Sequence, residues 1–66
     1  MNAEDYHFFV GRIMVLMDWA VDLKWRQSFE ERRSKAWYAF EDRIRRNDAK
    51  IEAAIASLEE LMGEDQ

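Results

Sequence analysis

The chain has no cysteine, proline or threonine, and its 66 residues include only one histidine and two glycines. Without cysteine there are no disulfides, and a single histidine leaves too few ligands for a structural zinc site. A chain of this size obtains only a few kcal/mol of net stability from one small core. Association with another chain is the remaining source of stability, so we expect a homodimer.

Catalytic and cofactor motifs are also missing. Nucleophilic catalysis requires a nucleophile with a nearby base, but the sequence offers three serines and a distant His7. Glu4 and His7 have the spacing of a metal-binding helix pair, yet such sites need a second copy and further inward-facing glutamates. We therefore expect no enzyme, no cofactor and no metal site.

Long hydrophobic runs are absent as well. The longest apolar run of the first predicted helix, residues 13–17, is far shorter than the roughly 20 apolar residues of a membrane span. Glu4 and Asp5 lie where a signal peptide carries positive charge, and cysteine is missing. These features predict a cytoplasmic protein without a membrane partner.

Apolar residues recur with helical spacing along most of the chain, and no cluster of turn residues indicates a hairpin of strands. Ser28 followed by Glu31 matches a capping box, which predicts the start of a second helix. We predict an all-α fold with a single domain over residues 1–66. It is an antiparallel two-helix hairpin with helix 1 at about 3–26, helix 2 at about 29–62 and a frayed acidic tail at 63–66.

The second helix carries an unbroken heptad pattern with one polar member. Its a positions are Trp37, Ile44, Ile51 and Leu58, and its d positions are Phe40, Asn47, Ala54 and Leu61. A buried Asn47 would fix the register against a neighbouring helix or a symmetry mate. Alternatively, Asn47 or Asp48 caps a new helix, which would give a three-helix bundle with a break near Asn47.

The first helix is apolar over more than one face. One stripe, which we expect to form the core of the hairpin, consists of Tyr6, Phe9, Ile13, Leu16, Ala20 and Leu23. A second stripe consists of Val10, Met14, Met17 and Val21, and Phe8, Val15 and Trp19 extend the apolar surface round the opposite flank. We predict that the second stripe joins two hairpins into a four-helix assembly.

Charge is distributed unevenly, because residues 24–46 carry a net charge of +4 within a chain of net charge −4. The bend of the hairpin is therefore basic, and it is also aromatic. Tyrosine, tryptophan and arginine dominate the energetics of protein interfaces. The predicted partner-binding residues are Trp25, Phe29, Arg32, Arg33 and Tyr38.

Nucleic acid is the second choice of partner. The basic residues that would contact phosphate are Lys24, Arg26, Arg32, Arg33, Arg45 and Arg46. Three of these arginines follow an acid at the four-residue spacing of helical ion pairs, namely Asp22, Glu41 and Asp42. The chain is acidic overall, with a pI near 4.9, whereas nucleic-acid-binding domains are commonly basic.

In length, hairpin pattern and charge the chain resembles small phage or mobile-element helical proteins that inhibit host regulators, including quorum-sensing anti-activators. It is also similar in plan to the plasmid copy-control hairpin that dimerises and binds RNA. The first resemblance implies a non-enzymatic regulator of a larger protein, such as a transcriptional regulator. The alternatives are a small RNA- or DNA-binding regulator and a purely structural assembly protein.

Overall fold

The computed structural model describes the backbone of residues 3–64 and the side chains of residues 3–63. Helix α1 spans Ala3–Gln27 and helix α2 spans Lys35–Glu64. The two helices pack against each other as an antiparallel hairpin, which confirms the predicted all-α fold. Helix α2 passes through Asn47 without interruption, so the three-helix alternative is wrong.

The core lies along a single line between the helices and is small. Its buried apolar residues, among those described, are Leu16, Ala20, Ile44 and Ala54. Apart from the buried Asn47, the other heptad positions of α2 are half-buried beside them, as are Phe9, Ile13 and Leu23 of α1. Tyr6, predicted to belong to the core stripe, is exposed instead because it lies in the second turn of α1, near the open end of the hairpin.

Asn47 is the one buried polar residue among those described, and it bonds across the helix interface. Its side-chain amide nitrogen donates to the carbonyl oxygen of Leu16 at 2.8 Å, and only 5% of the residue is exposed. An amide in an apolar seam favours the single alignment in which its hydrogen bond forms. This confirms the prediction that Asn47 contacts a neighbouring helix rather than breaking its own.

The bend is longer than predicted, because α2 begins at Lys35 rather than near residue 29. The alignment set by Asn47 and Leu16 brings the end of α1 opposite the first turn of α2. There the Gln27 side chain donates to the Trp37 carbonyl at 3.2 Å and to the Glu41 carboxylate at 2.8 Å. A helix that began at residue 29 would extend beyond α1 and have nothing to pack against.

Capping also differs from the prediction at Ser28. The Ser28 hydroxyl donates to the Trp25 carbonyl at the end of α1, which also accepts from the Ser28 backbone amide, so Ser28 ends α1 and does not start α2. Ser34 performs the capping, because its hydroxyl accepts from the Trp37 backbone amide at 3.2 Å. Arg33, just before this cap, has a φ of 68°, the left-handed conformation that reverses the chain.

The C-terminal end of α2 differs slightly from the prediction. Gly63 was expected to begin the frayed tail, but α2 continues to Glu64. Asp65 and Gln66 lie outside the described residues.

Replacing Asn47 tests its role in the alignment of the helices. Asn47→Asp keeps the shape of the side chain but removes the donor and buries a charge, so we expect a loss of about 2 to 4 kcal/mol in the free energy of unfolding. Asn47→Leu should raise the melting temperature, because an apolar side chain replaces a buried amide. Thermal denaturation followed by circular dichroism measures both, and an Asn47→Asp variant as stable as the parent chain would contradict the role.

The two serines of the bend make a matched pair for testing the cap. Ser34→Ala should lower the free energy of unfolding by about 1 kcal/mol, because the Trp37 amide loses its acceptor. Ser28→Ala should cost less than about 0.5 kcal/mol, since its carbonyl partner is exposed to water. Urea denaturation of both variants provides the comparison, and a larger loss for Ser28→Ala would contradict the assignment of Ser34 as the cap.

Candidate functional site

The hairpin exposes more surface than a compact protein of its mass. Its accessible area is 5426 Å², whereas a folded monomer of 8.0 kDa is expected to expose about 4,500 Å². The Cα radius of gyration is 15.2 Å, against about 11 Å for a compact domain of this length. The difference in area is close to the roughly 800 Å² that each partner contributes to a standard protein interface.

Much of this surface is apolar and lies on α1. We call Val10, Met14, Met17 and Val21 the methionine stripe. Met14 is 61% exposed and Val21 is 69% exposed, so α2 covers little of this stripe. Large apolar side chains aligned along one helix are characteristic of an interface rather than of a solvated surface. The predicted surplus of apolar surface on α1 is therefore present in the hairpin.

The a positions of the α2 heptad pattern, unlike most of the methionine stripe, are not exposed. Trp37, Ile44, Ile51 and Leu58 lie at the interface between α1 and α2, where Ile44 is buried and the others are half-buried. These residues serve the hairpin itself. The methionine stripe is thus separate from the α2 seam.

The opposite flank of α1 forms a groove against α2. A cavity of about 470 Å³ lies there, and we call it the aromatic groove; its lining residues are Phe8, Gly11, Arg12, Val15, Leu16, Trp19 and Lys50. A smaller cavity of about 190 Å³ also involves Trp19 and Lys50, and it adds Arg43 and Arg46 to the rim. The residues of this second cavity continue the groove along the helix interface towards the bend.

The five predicted partner-binding residues lie in or beside the bend of the hairpin. We call them the bend end: Trp25, Phe29, Arg32, Arg33 and Tyr38. The Trp25 and Phe29 rings pack edge to face with centroids 4.7 Å apart, and both are largely exposed. Tyr38 packs against the half-buried Trp37 at 5.1 Å. The fold therefore brings Trp25 and Phe29 together as one aromatic knob, while Tyr38 is anchored to the first turn of α2.

The basic residues of the nucleic-acid alternative are partly neutralised. Arg26 pairs with Asp22 at 3.0 Å and Arg46 pairs with Asp42 at 2.9 Å, with a longer contact of 3.7 Å between Arg45 and Glu41. All three ion pairs follow the predicted four-residue spacing. Half of the six candidate phosphate contacts thus already face a carboxylate, which disfavours an extended phosphate-binding track.

The Glu4 and His7 pair lies at the exposed start of α1, where the imidazole packs edge to face on Tyr6 at 5.7 Å. Within residues 3–63, no group of three or more potential metal ligands comes together. Neither helix, over the residues described, combines the length and apolar character needed to cross a membrane.

Two features of the site escaped the sequence analysis. The predicted helix bounds place Gln27 in the turn, although it is the last residue of α1 and its side chain donates hydrogen bonds to two groups of α2. Lys50 was assigned no role, yet it lines both parts of the groove. The flanking residues Phe8, Val15 and Trp19 were the available signal for the groove, but only the packing of the helices shows which α2 residues lie beside them.

Comparison of the chain with protein-family models, with curated proteins and with solved structures finds no match in any of the three.

Proposed function

We propose that this chain is a non-enzymatic protein-interaction module that works as a homodimer. The observation that supports this most strongly is the exposed methionine stripe on a hairpin whose excess surface is close to one standard interface. Pairing two stripes across a twofold axis would bury this surface in a four-helix assembly. Methionine adapts its shape to such packing more easily than branched residues do.

The proposed role of the dimer is to bind a larger protein and to regulate or inhibit it, as a binder of a transcriptional regulator would. The bend end supports this part of the proposal, because Trp25 and Phe29 form an exposed apolar knob next to Arg32 and Arg33. Aromatic anchors supply contact area, and arginines attract and hydrogen-bond carboxylates of a partner. Each dimer would carry two such ends.

Charging the methionine stripe tests dimerisation. Met14→Glu combined with Met17→Glu should give a monomer in sedimentation velocity, because a paired apolar seam cannot accommodate four carboxylates. We also expect a largely lost helical signal, since among the residues described the hairpin alone buries only four apolar ones. The parent chain should melt at a temperature that rises with protein concentration, as a dimer does.

The matched control places the same charge elsewhere. Ala49 and Ala53 are exposed on α2 and lie about one helical turn apart, as Met14 and Met17 do on α1, so Ala49→Glu with Ala53→Glu should leave the dimer intact. A double methionine variant that remains dimeric, or that forms a compact monomer as stable as the parent chain, would contradict the proposed seam.

The bend end is tested by affinity capture of the tagged protein from nuclease-treated and untreated lysates of its own host. Arg32→Ala with Tyr38→Ala should remove a specifically retained protein, since two interface residues of these types together contribute about 2 to 4 kcal/mol. Glu30→Ala with Lys35→Ala changes two exposed bend residues outside the proposed contact and should retain it. Unchanged capture by the first variant, or capture that depends on nucleic acid, would refute the assignment.

A further inference from the structure

The aromatic groove lies on the flank of α1 away from the methionine stripe. At 100° per residue, Phe8, Val15 and Trp19 fall on one side of the buried line through Leu16, and the stripe falls on the other. Phe8 and Trp19 are 64% and 58% exposed. Pairing two methionine stripes therefore leaves the groove open, and its apolar surface needs a different occupant.

Gly11 lines the groove without serving the fold. It lies in the interior of α1, where glycine costs about 1 kcal/mol relative to alanine. A Cβ atom added at this position would meet nothing within 4 Å, so no packing within the hairpin requires a glycine. Because Gly11 has no side chain, an element from outside the hairpin could approach the α1 backbone closely at this point.

The charged residues that line the groove are all basic. Arg12 and Lys50 border the larger cavity, and Arg43 and Arg46 border the smaller one. Arg46 has Asp42 as its partner, and Arg43 lies 5.7 Å from the centre of the Phe40 ring. Among the residues that the structure describes, Arg12 and Lys50 have no carboxylate within 4 Å. A basic rim in a chain of net charge −4 favours an acidic occupant.

The shape of the groove favours a helix. It runs beside two packed helices, and the twelve residues from Phe8 to Trp19 extend about 16 Å, which is three helical turns. Apolar side chains spaced by three, four and seven residues on a third helix would reach Phe8, Val15 and Trp19 in this length. The flanking positions of that helix would lie beside Arg12 and Lys50.

We propose that the aromatic groove is the docking site for an amphipathic α-helix of a partner protein, in which carboxylates flank the apolar residues. This inference rests on the proposed function as an interaction module, and it gives the chemistry of a partner. A second copy of this chain is a poor occupant. Pairing of two grooves would bring like charges together. Binding of the groove by a different surface of a second copy would produce open chains instead of closed dimers.

The test uses two synthetic peptides of about 20 residues, long enough to form a helix. Both have leucines at the same helical positions; one carries glutamates beside them and the other carries lysines. Each is titrated into the ¹⁵N-labelled full-length chain, and the Gly11 amide reports on the groove because glycine occurs only at positions 11 and 63. Methionine methyl signals report separately on the dimer seam.

We expect the glutamate peptide to shift the Gly11 signal and to bind about tenfold or more tightly than the lysine peptide. Lys50→Glu should reverse this preference. Gly11→Leu should fill the groove and weaken binding about tenfold while retaining or raising the melting temperature, since leucine is the better helix former. Gly63→Leu is the matched control, because that glycine also has open space around it, and binding should not change.

Three results would overturn the proposal. Equal affinity for the two peptides would remove the charge argument, and undiminished binding by Gly11→Leu would place the peptide elsewhere. A Gly11 signal unmoved at millimolar glutamate peptide, or moved instead by oligouridylate or by protein concentration alone, would exclude an acidic helix as the occupant. If the proposed dimer does not form, sedimentation velocity and the methyl signals of Met14 and Met17 will reveal this independently of the peptide titration.

Discussion

The hydrogen bond from Asn47 to the Leu16 carbonyl sets the alignment on which the rest of the hairpin depends. A long two-helix interface with small apolar side chains has several alignments of similar packing energy, and only one of them satisfies a buried amide. With Leu16 opposite Asn47, the end of α1 meets the first turn of α2, where Gln27 makes two further bonds. Residues 28–34 are then left to cross between the helices.

That alignment leaves a small core and much exposed apolar surface. Alanines contribute two of the four buried apolar residues of the described chain, so the helices approach closely but bury few large side chains. Trp19, Trp25 and Met14 are instead more than half exposed. The described residues therefore bury little apolar area within the hairpin, and a chain without cysteine has no disulfide to add stability.

The three exposed surfaces differ in chemistry and suit different partners. The methionine stripe is uncharged and adaptable, as expected for self-association. The bend end combines an aromatic knob with arginines, and the aromatic groove combines a glycine-lined cavity with a basic rim. Helix α1 contributes to all three surfaces: the methionine stripe and the aromatic groove lie on different flanks, and the bend end lies at its C-terminal end. Under the proposed function, pairing two methionine stripes would leave the other two surfaces accessible.

Helical periodicity alone determined the two helices, the heptad seam of α2 and the excess apolar surface of α1, because each follows from local spacing in a chain without proline. Local spacing also predicted the three ion pairs. It could not identify Ser34 as the cap, since Ser28 and Glu31 make an equally good local signal and only the alignment of the helices distinguishes them. The groove was decided by tertiary structure alone: Gly11 and Lys50 are 39 positions apart, and only antiparallel packing brings them to one cavity.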